Sequence, residues 1–142
     1  MTSSVVDTDT EFGARVAERL DSEQIVWLTT VGPSGTPQPN PVWFLWTEGT
    51  FLIFSKPEQA KIRNIRHNPR VALHLNSTAT GGDVVVLTGT AHVEGVAPGD
   101  AETGALLAKY REGLAGLNIT GAKFTAAYSA PIRVVPDRVR GF

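Results

Sequence analysis

Short β-branched and aromatic runs recur down this chain, separated by turn residues, and leave room for only one well-marked internal helix. They are Ile25–Thr30 (IVWLTT), Val42–Trp46 (VWFLW), Phe51–Ser55 (FLIFS), Arg70–Leu75 (RVALHL), the long Val84–Val96 stretch and Pro131–Arg140 (PIRVVPDRVR). Runs this short bounded by Gly, Pro, Asn and Asp read as strands. Glu48-Gly49 between two of them is a hairpin turn. Adjacent hairpins, as opposed to strands alternating with crossover helices, specify antiparallel pairing. The expected fold is therefore α+β and mainly β: a six-stranded antiparallel barrel with two or three peripheral helices.

Local signals place the remaining elements. Thr10 caps a helix over Glu11–Leu20, with Phe12, Val16 and Leu20 on one face. Thr36–Trp46 begins as an extended segment in which Pro37, Pro39 and Pro41 cannot donate to a ladder, so its first half belongs at an edge or is irregular. Pro57 suits a first helical position, Glu58 suits the positive end of that helix, and Asn68-Pro69 stops it. Gly89 marks a bend in its strand, and Pro136 demands an edge or a bulge. Asp100 caps a helix to about Tyr110, Gly113–Asn118 reads as a loop, and Thr120–Ala127 as a short helix. Residues 1–10 read as a polar tail and 11–142 as one domain, because 142 residues suit one core better than two.

Composition narrows the chemistry. The chain has no cysteine, which removes disulfides, thiolate metal sites and cysteine nucleophiles. A net charge of −1 argues against general nucleic-acid or membrane binding. No apolar run approaches the ~20 residues of a membrane span, and the N-terminus lacks the features of a secretion signal, so a cytoplasmic protein is expected. Glycine-rich dinucleotide loops, P-loops and nucleophile elbows are all missing. His67, His74 and His92 have no metal-ligand spacing and read as structural, and Ser55 has no base beside it, so no catalytic side chain and no metal are assigned.

Two features remain. Residues 56–70 (KPEQAKIRNIRHNPR) hold Lys56, Lys61, Arg63, Arg66 and Arg70, five of the 13 basic residues, against one acid, Glu58. Such a run is either a solvated face or an anion site, in which a helix N-terminus, Lys61 and the Ser55 hydroxyl converge on a phosphate. Lys61 and Arg63 lie about 200° apart on a helix and cannot serve one phosphate from one face. The second feature is aromatic. Alternation sends Phe44 and Trp46 inward and Trp43 to the other side, where it needs a helix, a ring-shaped ligand or a second subunit over it.

These features, in this order, carry a resemblance. The stretch from Thr29 to Leu75 contains a T-V-x-x-x-G-x-P hairpin, then P-V-W-F and a strand ending in Ser. A K-x-R-N-I-R-x-N-P-R-V passage follows, with Gly89-Thr90-Ala91 further on. It resembles the pyridoxamine 5′-phosphate oxidase-like superfamily of FMN-binding split barrels, and within it the actinobacterial branch that uses the deazaflavin coenzyme F420. The resemblance implies a split-barrel homodimer with two cofactor sites at the interface. It implies a ring held against Pro41, Val42, Trp43 and Phe44, and a phosphate held by Phe54, Ser55, Lys56, Lys61 and Arg63. Many relatives place an arginine two residues before the lysine, where this chain has Gln59. The implied activity is hydride transfer from reduced F420 to a small organic acceptor, the cofactor doing the chemistry. FMN-dependent oxidation or reduction and a non-catalytic cofactor-binding module are the alternatives. Vitamin B6 oxidation is disfavoured because the chain runs out at Phe142, and haem degradation because no histidine follows His92.

Overall fold

Hairpin pairing builds one sheet of seven antiparallel strands, described by a computed structural model over residues 4–142. The elements in chain order are α1 (Glu11–Ser22), β1 (Val26–Val31), β2 (Pro37–Val42), β3 (Leu45–Thr47), β4 (Thr50–Ser55), α2 (Ala60–His67), β5 (Arg70–His74), β6 (Val85–Val93), α3 (Asp100–Lys109), α4 (Arg111–Gly116), α5 (Gly121–Ala127) and β7 (Ala130–Gly141). The strands lie in the order β2-β1-β5-β6-β7-β4-β3. The split-barrel expectation holds, with one strand more than the six anticipated and five helices in place of two or three.

The extra strand is the proline segment. β2 pairs with β1 along its whole length, from Val31↔Pro37 to Val26↔Val42. In a strand, alternate residues turn their N–H toward the same side. Pro37, Pro39 and Pro41 therefore present all three missing donors to one side, and a regular ladder to β1 requires that side to be the outer edge. The prolines make β2 an edge strand that resists further pairing. The Val42–Trp46 run is then divided, because the chain leaves the ladder at Trp43 and Phe44.

That departure closes the barrel. β2 and β3 are the two outer strands of the sheet, yet Val42 and Leu45 are only three residue steps apart, at most about 11 Å of chain. The sheet must roll until its edges meet at residues 43–44. One core fills the concave side, where Leu28, Phe44, Phe51, Ile53, Leu73, Leu87 and Ile132 meet Val16 and Leu20 of α1 and Ile62 and Ile65 of α2. A second, smaller core lies across the sheet, beneath α3–α5.

Local signals mostly survive. Thr10 Oγ1 accepts from Gly13 N at 2.9 Å and caps α1. Val5 and Val6 pack on the core ahead of it, and residues 1–3 of the expected tail lie outside the described residues. Glu48 and Gly49 both take positive φ, 50° and 75°, as a tight hairpin requires. Pro136 sits in β7, an interior strand, and is accommodated by a bulge at Thr88/Gly89. A Cβ on Gly89 would lie 2.5 Å from Val135 O, so only glycine fits there. Three expectations are corrected. α2 begins at Ala60, not Pro57, because Gln59 stays extended as its N-cap (φ −69°, ψ 148°). Gly99, not Asp100, caps α3. The loop expected at 113–118 instead opens as α4, continuing the helical stack on Trp43. Among the described residues no helix is long and apolar enough to cross a membrane.

Candidate functional site

The two residues that join the sheet edges also build the site. Phe44 turns into the concave core and Trp43 turns out, as period-two alternation predicts. The Trp43 ring is covered by helices of its own chain. It stacks on Tyr110 (centroids 4.4 Å apart, planes 4° apart) and on Phe124 (5.6 Å, 26°). Of the three coverings anticipated, the chain's own helices supply one. A Cβ at Gly113 would sit 3.2 Å from the Trp43 ring, so glycine allows α4 to close over it.

Because Trp43 and Phe44 lie outside the ladder, their backbone needs other partners. Tyr110 and Lys109 supply them for Phe44. The Tyr110 hydroxyl accepts from Phe44 N at 2.8 Å and donates to Gln24 O at 2.8 Å. Phe44 O accepts from Lys109 Nζ at 2.9 Å, and that ammonium lies 3.6 Å from the centre of the Phe44 ring. Burial pushes the Tyr110 phenol up to about 12, against the lowering effect of its bond to the Phe44 backbone. Burial pulls Lys109 down to about 8, with Asp21 opposing.

Below Trp43 is a cavity of about 410 Å³. Pro41, Val42, Trp43 and Phe54 form its sheet wall, Gln59 and Lys61 its α2 wall, and Leu117, Ile119, Phe124 and Tyr128 the wall from α4–α5. Its size is that of a small-molecule pocket, and aromatic walls with a few polar groups are the usual lining of one.

α2 brings its lysine here because of where it is anchored. Asn64, buried in the helix, donates through Nδ2 to Thr30 Oγ1 (3.0 Å) and Gln38 Oε1 (2.9 Å), while Ile62 and Ile65 face the core. That phase leaves Lys61 on the cavity side. Burial lowers the Lys61 pKa. Among the described residues no carboxylate lies within salt-bridge distance of it. A half-buried ammonium with no counter-charge leaves room for an anion beside it.

The other implied residues are placed differently. Ser55 is buried, and its hydroxyl lies 2.9 Å from Lys56 O and 3.0 Å from Gln59 Oε1, so its proton is used within the protein. Lys56 stands outside the lining with its Nζ over the Tyr128 ring, 5.4 Å from the centroid. Arg63 points out and reaches Glu58 O at 3.4 Å, consistent with its angular separation from Lys61. Phe44 lies in the core with no exposed surface. Leu117, Ile119, Phe124 and Tyr128 were not anticipated. The one legible signal was the i, i+4 aromatic pair Phe124/Tyr128, whose rings stack at 4.7 Å.

A second cleft, about 730 Å³, lies between α1, the β3–β4 hairpin and α3, with Asp21, Trp46, Glu48, Glu102 and Arg133 in its wall. Its cation is already matched. Arg133 forks onto Glu102 at 2.8 and 2.9 Å and reaches Glu94 at 3.2 Å. His74 stacks on Trp27 at 6.0 Å, and His92 Nε2 lies 3.9 Å from Glu94, so the two strand histidines serve separate neighbours.

Comparison with known proteins places this geometry. A family model described as pyridoxamine 5′-phosphate oxidase matches residues 12–136. No curated protein matches the chain. Among solved structures, an F420 reductase is 24% identical with a TM-score of 0.64, over 87% of this chain and 94% of that one. A haem storage protein from Vibrio cholerae is 13% identical with a TM-score of 0.69, over 93% and 95%. An FAD-binding protein from Mesorhizobium loti is 15% identical with a TM-score of 0.62, over 89% and 90%. At these identities the likeness is one of fold, and the three differ in what they are named for.

Proposed function

We propose, from the premise that this chain belongs to the pyridoxamine 5′-phosphate oxidase family, that it is an oxidoreductase using a flavin-type tricyclic cofactor, F420 in preference to FMN, to reduce a small organic acceptor. The observation that carries this reading is Lys61: a half-buried ammonium without a counter-charge, on the wall of a cavity otherwise lined by aromatic and aliphatic side chains. A flat ring with a phosphate at one end satisfies both halves of that lining.

Each group of residues has a role in this reading. Pro41, Val42, Trp43 and Phe54 form the wall for the ring, with the backbone at Phe44 held in place by Tyr110 and Lys109. Lys61 holds the phosphate, with Lys56 and Arg63 available to a longer anionic tail outside the cavity. Phe124 and Tyr128 keep water from the ring. When bound, the cofactor supplies the hydride, and the protein orients it. The cavity lining includes no Asp, Glu or His, which is also what a carrier that binds without turnover would have. The functional unit is a homodimer in the cytoplasm.

Fluorescence titration of purified protein with each cofactor tests the reading. Micromolar binding of F420 is expected, followed by oxidation of the reduced form on addition of quinones or enones. Binding of FMN with none of F420 would turn the reading to FMN. Binding without oxidation by any acceptor would favour the carrier. No binding of either cofactor would remove the proposal.

A further inference from the structure

We propose that Gln59 makes this cavity selective for a singly charged phosphodiester over a phosphate monoester dianion; the inference rests on the reading that a phosphate-bearing ring binds beside Lys61. The argument is a charge count. Lys61 is the one cation in the lining. The neighbouring bases lie outside that lining, Lys56 with its Nζ over the Tyr128 ring at 5.4 Å and Arg63 turned out to Glu58 O at 3.4 Å.

Gln59 sits on the same wall and is neutral. Its Oε1 faces the Ser55 hydroxyl at 3.0 Å. The amide NH₂ has no protein partner among the described residues, so it is free to donate one uncharged hydrogen bond.

The two kinds of phosphate differ in what they ask of such a wall. A monoester, as in FMN, has a second pKa of about 6 and carries nearly two charges at pH 8. A diester, as in the phosphate linkage of F420, carries one. Lysine neutralises one charge and the amide satisfies a further oxygen. The diester is then fully matched. The monoester leaves a second charge without a partner beside Trp43 and Phe124, and an unpaired charge at an apolar wall is costly to desolvate.

Arginine at position 59 would reverse this. It adds the second cation and a forked donor suited to a phosphate. The fold should tolerate it, because the Ser55 hydroxyl keeps its bond to Lys56 O at 2.9 Å.

The test holds the ring constant and changes only the phosphate. Riboflavin, FMN and riboflavin 4′,5′-cyclic phosphate, a monoanionic diester, are titrated at pH 8 by flavin fluorescence into the parent protein and Gln59→Arg. In the parent, the cyclic diester should bind at least as tightly as FMN and more tightly than riboflavin. In Gln59→Arg, the ratio of FMN affinity to diester affinity should rise about tenfold or more, the scale of a hydrogen bond to a charged group. FMN binding the parent more tightly than the diester would overturn the inference and leave the proposed function standing. Failure of all three flavin ligands to bind the parent would overturn the inference, and the proposed function would fall with it only if F420 also failed to bind. The parent comparison needs no variant, so a poorly folded Gln59→Arg protein cannot protect the inference.

Discussion

Tyr110→Phe tests whether one hydroxyl holds the seam of the barrel. The ring and its 4.4 Å stack on Trp43 remain, so the substitution removes an oxygen and creates almost no cavity. Two interactions go. The donation to Gln24 O, at 2.8 Å, is worth about 1 kcal/mol net. The Phe44 N–H, bonded at 2.8 Å to the lost oxygen and shielded by a fully buried residue, is left without a partner, at about 1–3 kcal/mol. Phe44 O keeps Lys109, which limits the damage. The expected loss is about 2–4 kcal/mol. With an unfolding entropy of about 2.1 cal/mol/K per residue over 142 residues, each kcal/mol moves Tm by about 3 °C. Calorimetric or circular-dichroism melts should therefore show Tm lowered by about 7–13 °C. Near-ultraviolet dichroism at 20 °C should stay parent-like, because the aromatic stack persists. A Tm within 3 °C of the parent would refute the idea that Tyr110 satisfies a backbone that cannot satisfy itself.

Three further outcomes are expected. Lys61→Ala should weaken binding of a phosphate-bearing cofactor by roughly 1.5–3 kcal/mol, as measured by fluorescence titration. Its Tm should hardly change, since Lys61 has no ion pair to lose; Lys61→Arg should recover only part of the affinity, and Arg66→Ala should matter less. Unchanged affinity in Lys61→Ala would mean that the basic passage is only a solvated face. For Lys109, the folded pKa of about 8 lies below the ordinary lysine value of 10.5, so the unfolded chain holds more protons between those values and stability rises with pH across them. The Tm of the parent relative to Lys109→Met should climb from pH 7 to 9.5, and a constant difference would refute that burial. Light scattering should show a particle of roughly twice 15.2 kDa at micromolar concentration, and a 15.2 kDa particle would defeat the dimer.

Much of this fold could be read from local pattern because the forces behind it are local. Alternation decided that Phe44 and Trp43 face opposite sides of the sheet, since a strand has a period of two whatever it pairs with. Thr10, Glu48-Gly49 and Asn68-Pro69 set their boundaries through capping, positive φ and proline sterics, each acting over a few residues. The P-V-W-F and K-x-R-N-I-R segments marked the stretch that walls the cavity. What lay beyond the sequence was the partner of each surface. β7 inserts between β6 and β4, and β1 joins β5, because of long-range pairing that no neighbouring residue encodes. That same pairing rolls the sheet until residues 43–44 bridge its edges. Five bases stand in one passage with equal charge, and only Lys61 lines the cavity. Its selection depends on the rotation of α2, fixed by the bonds of Asn64 to Thr30 and Gln38, 34 and 26 residues away. Trp43 needed a cover, and its own α3–α5 supplied it, since stacking a ring removes apolar surface from water regardless of which segment contributes the other face.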